Sequence, residues 1–165
     1  MNDYKICCFT GHRHIKPEHA VFLPRIIDDL LDSLIKKGCH TFRAGGAMGF
    51  DTICALKVLE KKRIYNDTDI KLELFLPCRD QSNGWSEGER NIYKFILANA
   101  DSIDYSQDRY IPGCMHERNR RLVDGADVCI AYLISSKGGT AYTCSYAQKN
   151  QVDIINVKDL IPKKD

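Results

Sequence analysis

No apolar run in this chain approaches the roughly 20 residues a helix needs to cross a bilayer, so no membrane partner is expected. The opening "MNDYKICCFTGHR" lacks the apolar core and small-residue cleavage site of a signal peptide, and the expected location is the cytoplasm. Eight cysteines (Cys7, Cys8, Cys39, Cys54, Cys78, Cys114, Cys129 and Cys144) contain no C-x-x-C and no matched histidine pair. They read as reduced thiols packed as small hydrophobes. "HRH", His12 to His14, has no third ligand beside it, so no metal is expected. Charge of one sign is also missing: 24 Lys and Arg against 22 Asp and Glu leave a net +2. With no basic run, a nucleic-acid partner is not expected. Two phosphate motifs are absent as well. No G-x-x-x-x-G-K-[ST] is present, which argues against Mg-dependent triphosphatase chemistry, and no G-x-G-x-x-G, which argues against a dehydrogenase.

What is present is enough apolar residue, 44%, for one core, in a chain of 165 residues that is the size of one domain. Strand-like and helix-like segments alternate throughout. "YKICCFTG" is an apolar run ending in glycine, as expected of a strand buried on both faces. "VFLPRIIDDLLDSLIKKG" carries a helical stripe, with Pro24 in the first turn and Gly38 as the cap. "CHTFRAGG" is a second strand and Gly49 to Lys62 a second helix. "IKLELFLP", "DSIDY", "DVCIAYLI" and "VDIINV" supply further strands. "SEGERNIYKFILANA" is a helix opened by Ser86 and Glu89 at capping-box spacing. "CMHERNRRLVDG" and "GGTAYTCSYAQKN" are the last two helices. The expectation is one Rossmann-like α/β domain over residues 1–165: an open, mostly parallel sheet of about six strands with helices on both faces. Residues 158–165 are expected as a flexible tail.

In such sheets ligands bind beyond the carboxyl ends of the strands. The loops there hold "TGHR" (Thr10, Gly11, His12, Arg13), "GGAMGFD" (Gly45, Gly46, Ala47, Met48, Gly49, then Asp51), Arg79 in "PCRDQSNGW", and Gly138, Gly139 and Thr140 in "SSKGGT". Glycine turns at helix N-termini present unpaired N–H groups and a favourable dipole to an anion. Turn geometry alone is the competing explanation for each glycine. Asp51 in a first helical turn either caps the dipole or accepts from ribose hydroxyls. Arg118 shares a helix face with Leu122 and can point into a cleft. Trp85, His116, Tyr142 and Tyr146 read first as packing residues, with base stacking by Trp85 and hydrogen bonding by Tyr142 as alternatives.

"FTGHR", "GGAMGFD", "MHERNRRLVDGADVCIAY" and "GGT", in that order and on strand ends, resemble the SLOG superfamily and most closely its YpsA-like branch. The resemblance runs from Phe9 to about Val157 and implies a Rossmann-like fold that binds nucleotides or nucleotide-derived ligands. "GGAMGFD" is similar to the glycine loop of the DprA branch, which binds single-stranded DNA. "MHERN" is similar to the Met-His-x-Arg-Lys segment of the LOG branch, enzymes that release a base from a nucleoside monophosphate. There an arginine, matching Arg118, and a glutamate following a Pro-Gly-Gly-x-Gly-Thr loop carry the cleavage. Here Asn119 replaces the lysine, and Ala141, Tyr142 and Thr143 follow "KGGT" with no carboxylate among them.

Glycosidic cleavage needs a group to stabilise an oxocarbenium-like centre and activate water. The missing glutamate therefore favours binding over reaction, with Asp51, Glu117 and Glu87 left as substitute carboxylates. The resemblance thus implies a sensor or regulatory binding protein for a nucleotide-like small molecule, with no separate cofactor. A nucleotide or nucleotide-sugar hydrolase is the alternative, and single-stranded nucleic-acid binding the third reading. The LOG branch dimerises, so homo-oligomerisation is a further expectation, although no residue here specifies an interface.

Overall fold

The computed structural model describes residues 3–164. Its six strands form one sheet in the order β4-β3-β2-β1-β5-β6, and every neighbouring pair is parallel. They are β1 (Ile6–Gly11), β2 (Thr41–Ala44), β3 (Lys71–Cys78), β4 (Ser102–Gln107), β5 (Val128–Tyr132) and β6 (Asp153–Asn156). The open α/β architecture expected from the alternation is the one found.

Alternate residues of β1, β3, β5 and β6 feed two cores, as the two-residue period of a strand allows. Cys7, Phe9, Phe42, Leu72, Leu74, Leu76, Ile130 and Tyr132 face one layer, made by α2 (Leu23–Lys36), α3 (Phe50–Tyr65) and α4 (Glu87–Asn99). Cys8, Cys129 and Ala131 face the other, made by α5 (Cys114–Val123) and α6 (Gly139–Lys149). β5 is buried at all five positions because helices cover both its faces. All eight cysteines are free and buried, in keeping with their apolar settings.

Local signals act where the chain suggested. Ser86 and Glu89 form a reciprocal capping box at the start of α4. Pro24 lies in the first turn of α2, and Gly38, with φ of +97°, follows its end. One element was not foreseen: a four-residue helix, α1 (Pro17–Ala20), fills the β1–α2 connection. A second departure lies at the C-terminus. A 3-10 turn, Val157–Leu160, runs into the segment expected as a tail, and Ile161 of that segment packs on the larger core. Asp165 lies outside the described residues.

The strand order reverses between β1 and β5. Connections run outward from β1 through β2 and β3 to β4, then the chain returns to the other side of β1. The carboxyl ends of β1 and β5 therefore lead loops in opposite directions, leaving the crevice typical of open α/β sheets.

Candidate functional site

A cleft of ≈ 370 Å³ lies at that reversal. Thr10, Gly11, His12 and Arg13 line it from the end of β1, and Ala47 and Asp51 from the β2–α3 loop and α3. Met115, His116, Arg118, Asn119 and Leu122 come from α5, and Gly139 and Thr140 from the start of α6.

The loop after β1 is fixed by close packing. A Cβ on Gly11 would meet the Phe50 ring at 2.4 Å, and one on Gly49 would meet the Arg13 carbonyl oxygen at 2.1 Å. Phe50 N–H also donates to the His12 carbonyl, at 3.3 Å. The close approach that Gly49 permits, at φ of +78°, is therefore that of the protein's own backbone. Gly45 is covered by the Arg118 guanidinium and Gly46 by Leu76. Gly45, Gly46, Met48 and Gly49 shape the loop without lining the cleft.

The α6 turn differs. No atom lies within 4 Å of a Cβ built on Gly138, and Asn119 Nδ2, at 3.7 Å, is the nearest atom to one on Gly139. Tyr142 N–H donates to the Gly138 carbonyl at 3.1 Å, so the three N–H groups before it have no acceptor within the helix. Gly139 and Thr140 lie against the cleft, and this open helix start is where an anion is best received.

Arg118 is 6% exposed. Its Nε donates to Asn119 Oδ1 at 2.8 Å, its Nη1 to the Gly45 carbonyl, and its Nη2 to Met115 Sδ at 3.8 Å. No carboxylate among the described residues lies within ion-pair distance of it. Burial pushes its pKa down, opposed by the field of Asp51. A buried guanidinium without a counter-ion is costly, and an arriving anion relieves that cost.

Among the described residues Asp51 is the one carboxylate lining the cleft. Oδ2 accepts from Ala47 N–H at 3.3 Å, while Oδ1 is buried and has no hydrogen-bond partner among the described residues. Burial raises its pKa to about 6, against the lowering pull of Arg118, the Ala47 amide and Arg13. His12 Nε2 accepts from Ile134 N–H at 3.0 Å, which places the proton of the neutral ring on Nδ1. Burial lowers the His12 pKa, so the ring stays neutral and offers one donor.

Several anticipated residues lie elsewhere. Arg79 does not reach the cleft. It pairs with Asp108 at 3.1 Å and stacks on Tyr105, at the β4 edge of the sheet. Glu117 accepts from Gln107 Nε2 at 3.0 Å, and exposed Glu87 sits in the first turn of α4; neither lines the cleft. Trp85 packs edge-on against Tyr93, as a packing anchor should. Tyr142 accepts from Arg120 at 2.9 Å, and its ring stacks on His116 at 4.1 Å between centroids. His116, read from sequence as structural, is exposed and lines the cleft together with Met115. Their neighbours Arg118 and Asn119, one turn along the same helix, were the available signal.

Among the described residues no group of three or more His, Cys, Asp or Glu side chains is placed to hold a metal, and no helix is long and apolar enough to cross a membrane. A parallel sheet reversing at β1 and β5, with a cationic cleft across the reversal, defines a Rossmann-like α/β domain with a switch-point site. Within that class the chain belongs to the YpsA family, the YspA SLOG family, whose model matches residues 5–160. It is 28% identical over 128 residues to UPF0398 proteins of Bacillus thuringiensis (strain Al Hakam) and Bacillus cereus (strain AH187), covering 76% of this chain and 68% of each relative.

The fold is similar to DNA processing protein A from Helicobacter pylori, a structure described for its single-stranded DNA binding mode, with a TM-score of 0.67, 22% identity and 92% of this chain covered. For the Streptococcus pneumoniae DprA structure the TM-score is 0.64 and the identity 16%, again over 92% of this chain. The chain spans 64% and 49% of those two structures. The structure of TM1055 is similar at a TM-score of 0.59 and 19% identity, covering 91% of this chain and 72% of that one.

Proposed function

We propose that the chain binds a nucleotide or nucleotide-derived small molecule in the switch-point cleft, as a cytoplasmic sensor or regulatory binding protein without a reaction of its own. The observation that carries this is Arg118: a nearly fully buried guanidinium with no carboxylate among the described residues in ion-pair distance, lining the same cleft as the open first turn of α6. Phosphate is the anion that a guanidinium and a helix start both suit. Exposed Arg13 adds a second cation at the mouth, and His12 a neutral donor.

The test is thermal unfolding against AMP, ADP, ADP-ribose, NAD, cyclic nucleotides and a short oligonucleotide, in the native chain and in Arg13→Ala. A ligand at a hundred times its dissociation constant stabilises the fold by about 2.7 kcal/mol. At about 2–4 °C per kcal/mol this is a readily measured shift. Arg13→Ala removes an exposed side chain, so it keeps the unliganded melting temperature and diminishes the shift. If every curve overlays the ligand-free one, the reading is withdrawn.

A second reading, hydrolysis of the N-glycosidic bond, is favoured by Asp51. It brings a carboxylate, with its pKa raised to about 6, into the same cleft as Arg118. Product analysis of the same mixtures separates the two readings, since free base appears only with turnover. Single-stranded nucleic-acid binding rests on likeness of fold alone. A steep fall of oligonucleotide affinity with salt is its signature.

A further inference from the structure

We propose that Asp51 reads a hydroxyl group of the ligand, so that the cleft takes a phosphate ester bearing a free hydroxyl, such as the sugar-phosphate half of a nucleotide, and not the interior of a DNA strand. The proposal rests on the phosphate reading above and gives it a chemical class.

Asp51 is 5% exposed, and its Oδ1 is buried without a partner among the described residues. An ionised carboxylate oxygen left so is expensive, and native proteins seldom keep one without a use. Neighbouring donors bond elsewhere than to Oδ1. Thr52 Oγ1 donates to the Ala47 carbonyl at 3.0 Å, and the Ala47 amide is taken by Oδ2. Arg118 gives hydrogen bonds to Asn119, Gly45 and Met115 and none to Oδ1, which leaves two of its five N–H groups for an anion. Asp51 lines the cleft, so a ligand seated there can supply the donor.

The dianion of a phosphate ester cannot serve, because it and an ionised carboxylate repel and neither has a proton to give. A hydroxyl is neutral and donates. The two ends of the cleft thus ask for different groups: an acceptor-rich anion at Gly139 and Thr140, a donor at Asp51. A sugar phosphate carries both. An internal residue of a DNA strand has both its 3′ and 5′ oxygens esterified and no 2′ hydroxyl, so its sugar-phosphate backbone offers Asp51 no donor.

The experiment measures the affinities of ribose 5-phosphate and methyl phosphate, which has no hydroxyl once doubly ionised, by calorimetry at about pH 8 for the full chain, for Asp51→Asn and for Asp51→Ala. A hydrogen bond to a charged group contributes roughly tenfold or more in affinity, so the native chain prefers ribose 5-phosphate by at least about that factor. Asp51→Asn cuts the preference severalfold and Asp51→Ala abolishes it. Methyl phosphate binds both variants as tightly as the native chain or tighter, because a negative charge has gone. That gain also shows the variants to be folded. Equal affinity of the native chain for the two probes overturns the proposal while leaving the phosphate site standing. A preference that survives both substitutions overturns it equally. Binding of neither probe at about 10 mM removes the phosphate reading, and this inference with it.

Discussion

Asp51 costs the unliganded protein stability at neutral pH. Its carboxyl is raised from 3.8 to about 6 by burial. Between those values the folded state holds a proton that the unfolded state has released. Stability is therefore highest with Asp51 protonated and falls as pH rises from about 4 through about 6. A shift of about two units corresponds to about 3 kcal/mol at pH 7. Asp51→Asn removes the penalty and keeps an acceptor for the Ala47 amide. It is expected to raise the melting temperature at pH 7.5 by several degrees, with the gain shrinking toward nothing near pH 4. Paired melts across that range check this, and a variant less stable than the native chain at pH 7.5 contradicts it. Stability given up at one buried acid is what a binding site looks like when empty. The sequence showed Asp51 to be in a first helical turn beside glycines. It did not show the carboxylate buried at a cleft, because that comes from tertiary packing, which also brings Arg118, 67 positions away in the chain, beside the same glycine, Gly45.

At the scale of elements, the glycine turns divide into two kinds that look alike when written out. Gly138 and Gly139 open α6 toward free space, whereas Gly45, Gly46 and Gly49 are packed against Arg118, Leu76 and Arg13. Gly49→Ala adds a Cβ 2.1 Å from a backbone oxygen and forces a residue with φ of +78°. It is expected to destabilise by roughly 3 kcal/mol or more, read from the urea midpoint. Gly138→Ala meets nothing within 4 Å and has only its φ of +97° to oppose it, so its cost is expected at roughly 1 kcal/mol. Equal effects from the two changes contradict this division. The capping box of α4 and the capped end of α2 were legible because three or four adjacent residues specify them. The helix α1 was not, since it is one turn long, has no buried residue, and leans on Tyr132 through His19.

For the whole molecule, two cores on either side of one sheet hold six of the eight cysteines, and Cys78 and Cys114 are buried outside them. A thiol reagent should therefore modify none of the eight quickly in the native chain and all eight on unfolding, at a rate that tracks global opening. Fast modification of any one would place a cysteine at the surface. Self-association, carried over from the family resemblance, remains a proposal. Phe95 and Ile92 are exposed on α4, and light scattering on the native chain measures the outcome directly.

Periodicity, caps and turn residues were enough to establish the order of strands and helices and the α/β class, because each depends on neighbours a few positions apart. The same is true of the loops that end at the carboxyl side of the sheet. Which of those loops meet was decided by the strand order. Pairing β1 with both β2 and β5 brings Thr10, Asp51, Arg118 and Thr140 to one crevice and leaves Arg79 at the far edge. Strand order is set by packing over long separations, and the charge, burial and missing partners that make a site out of these residues come into being only when the sheet closes between them.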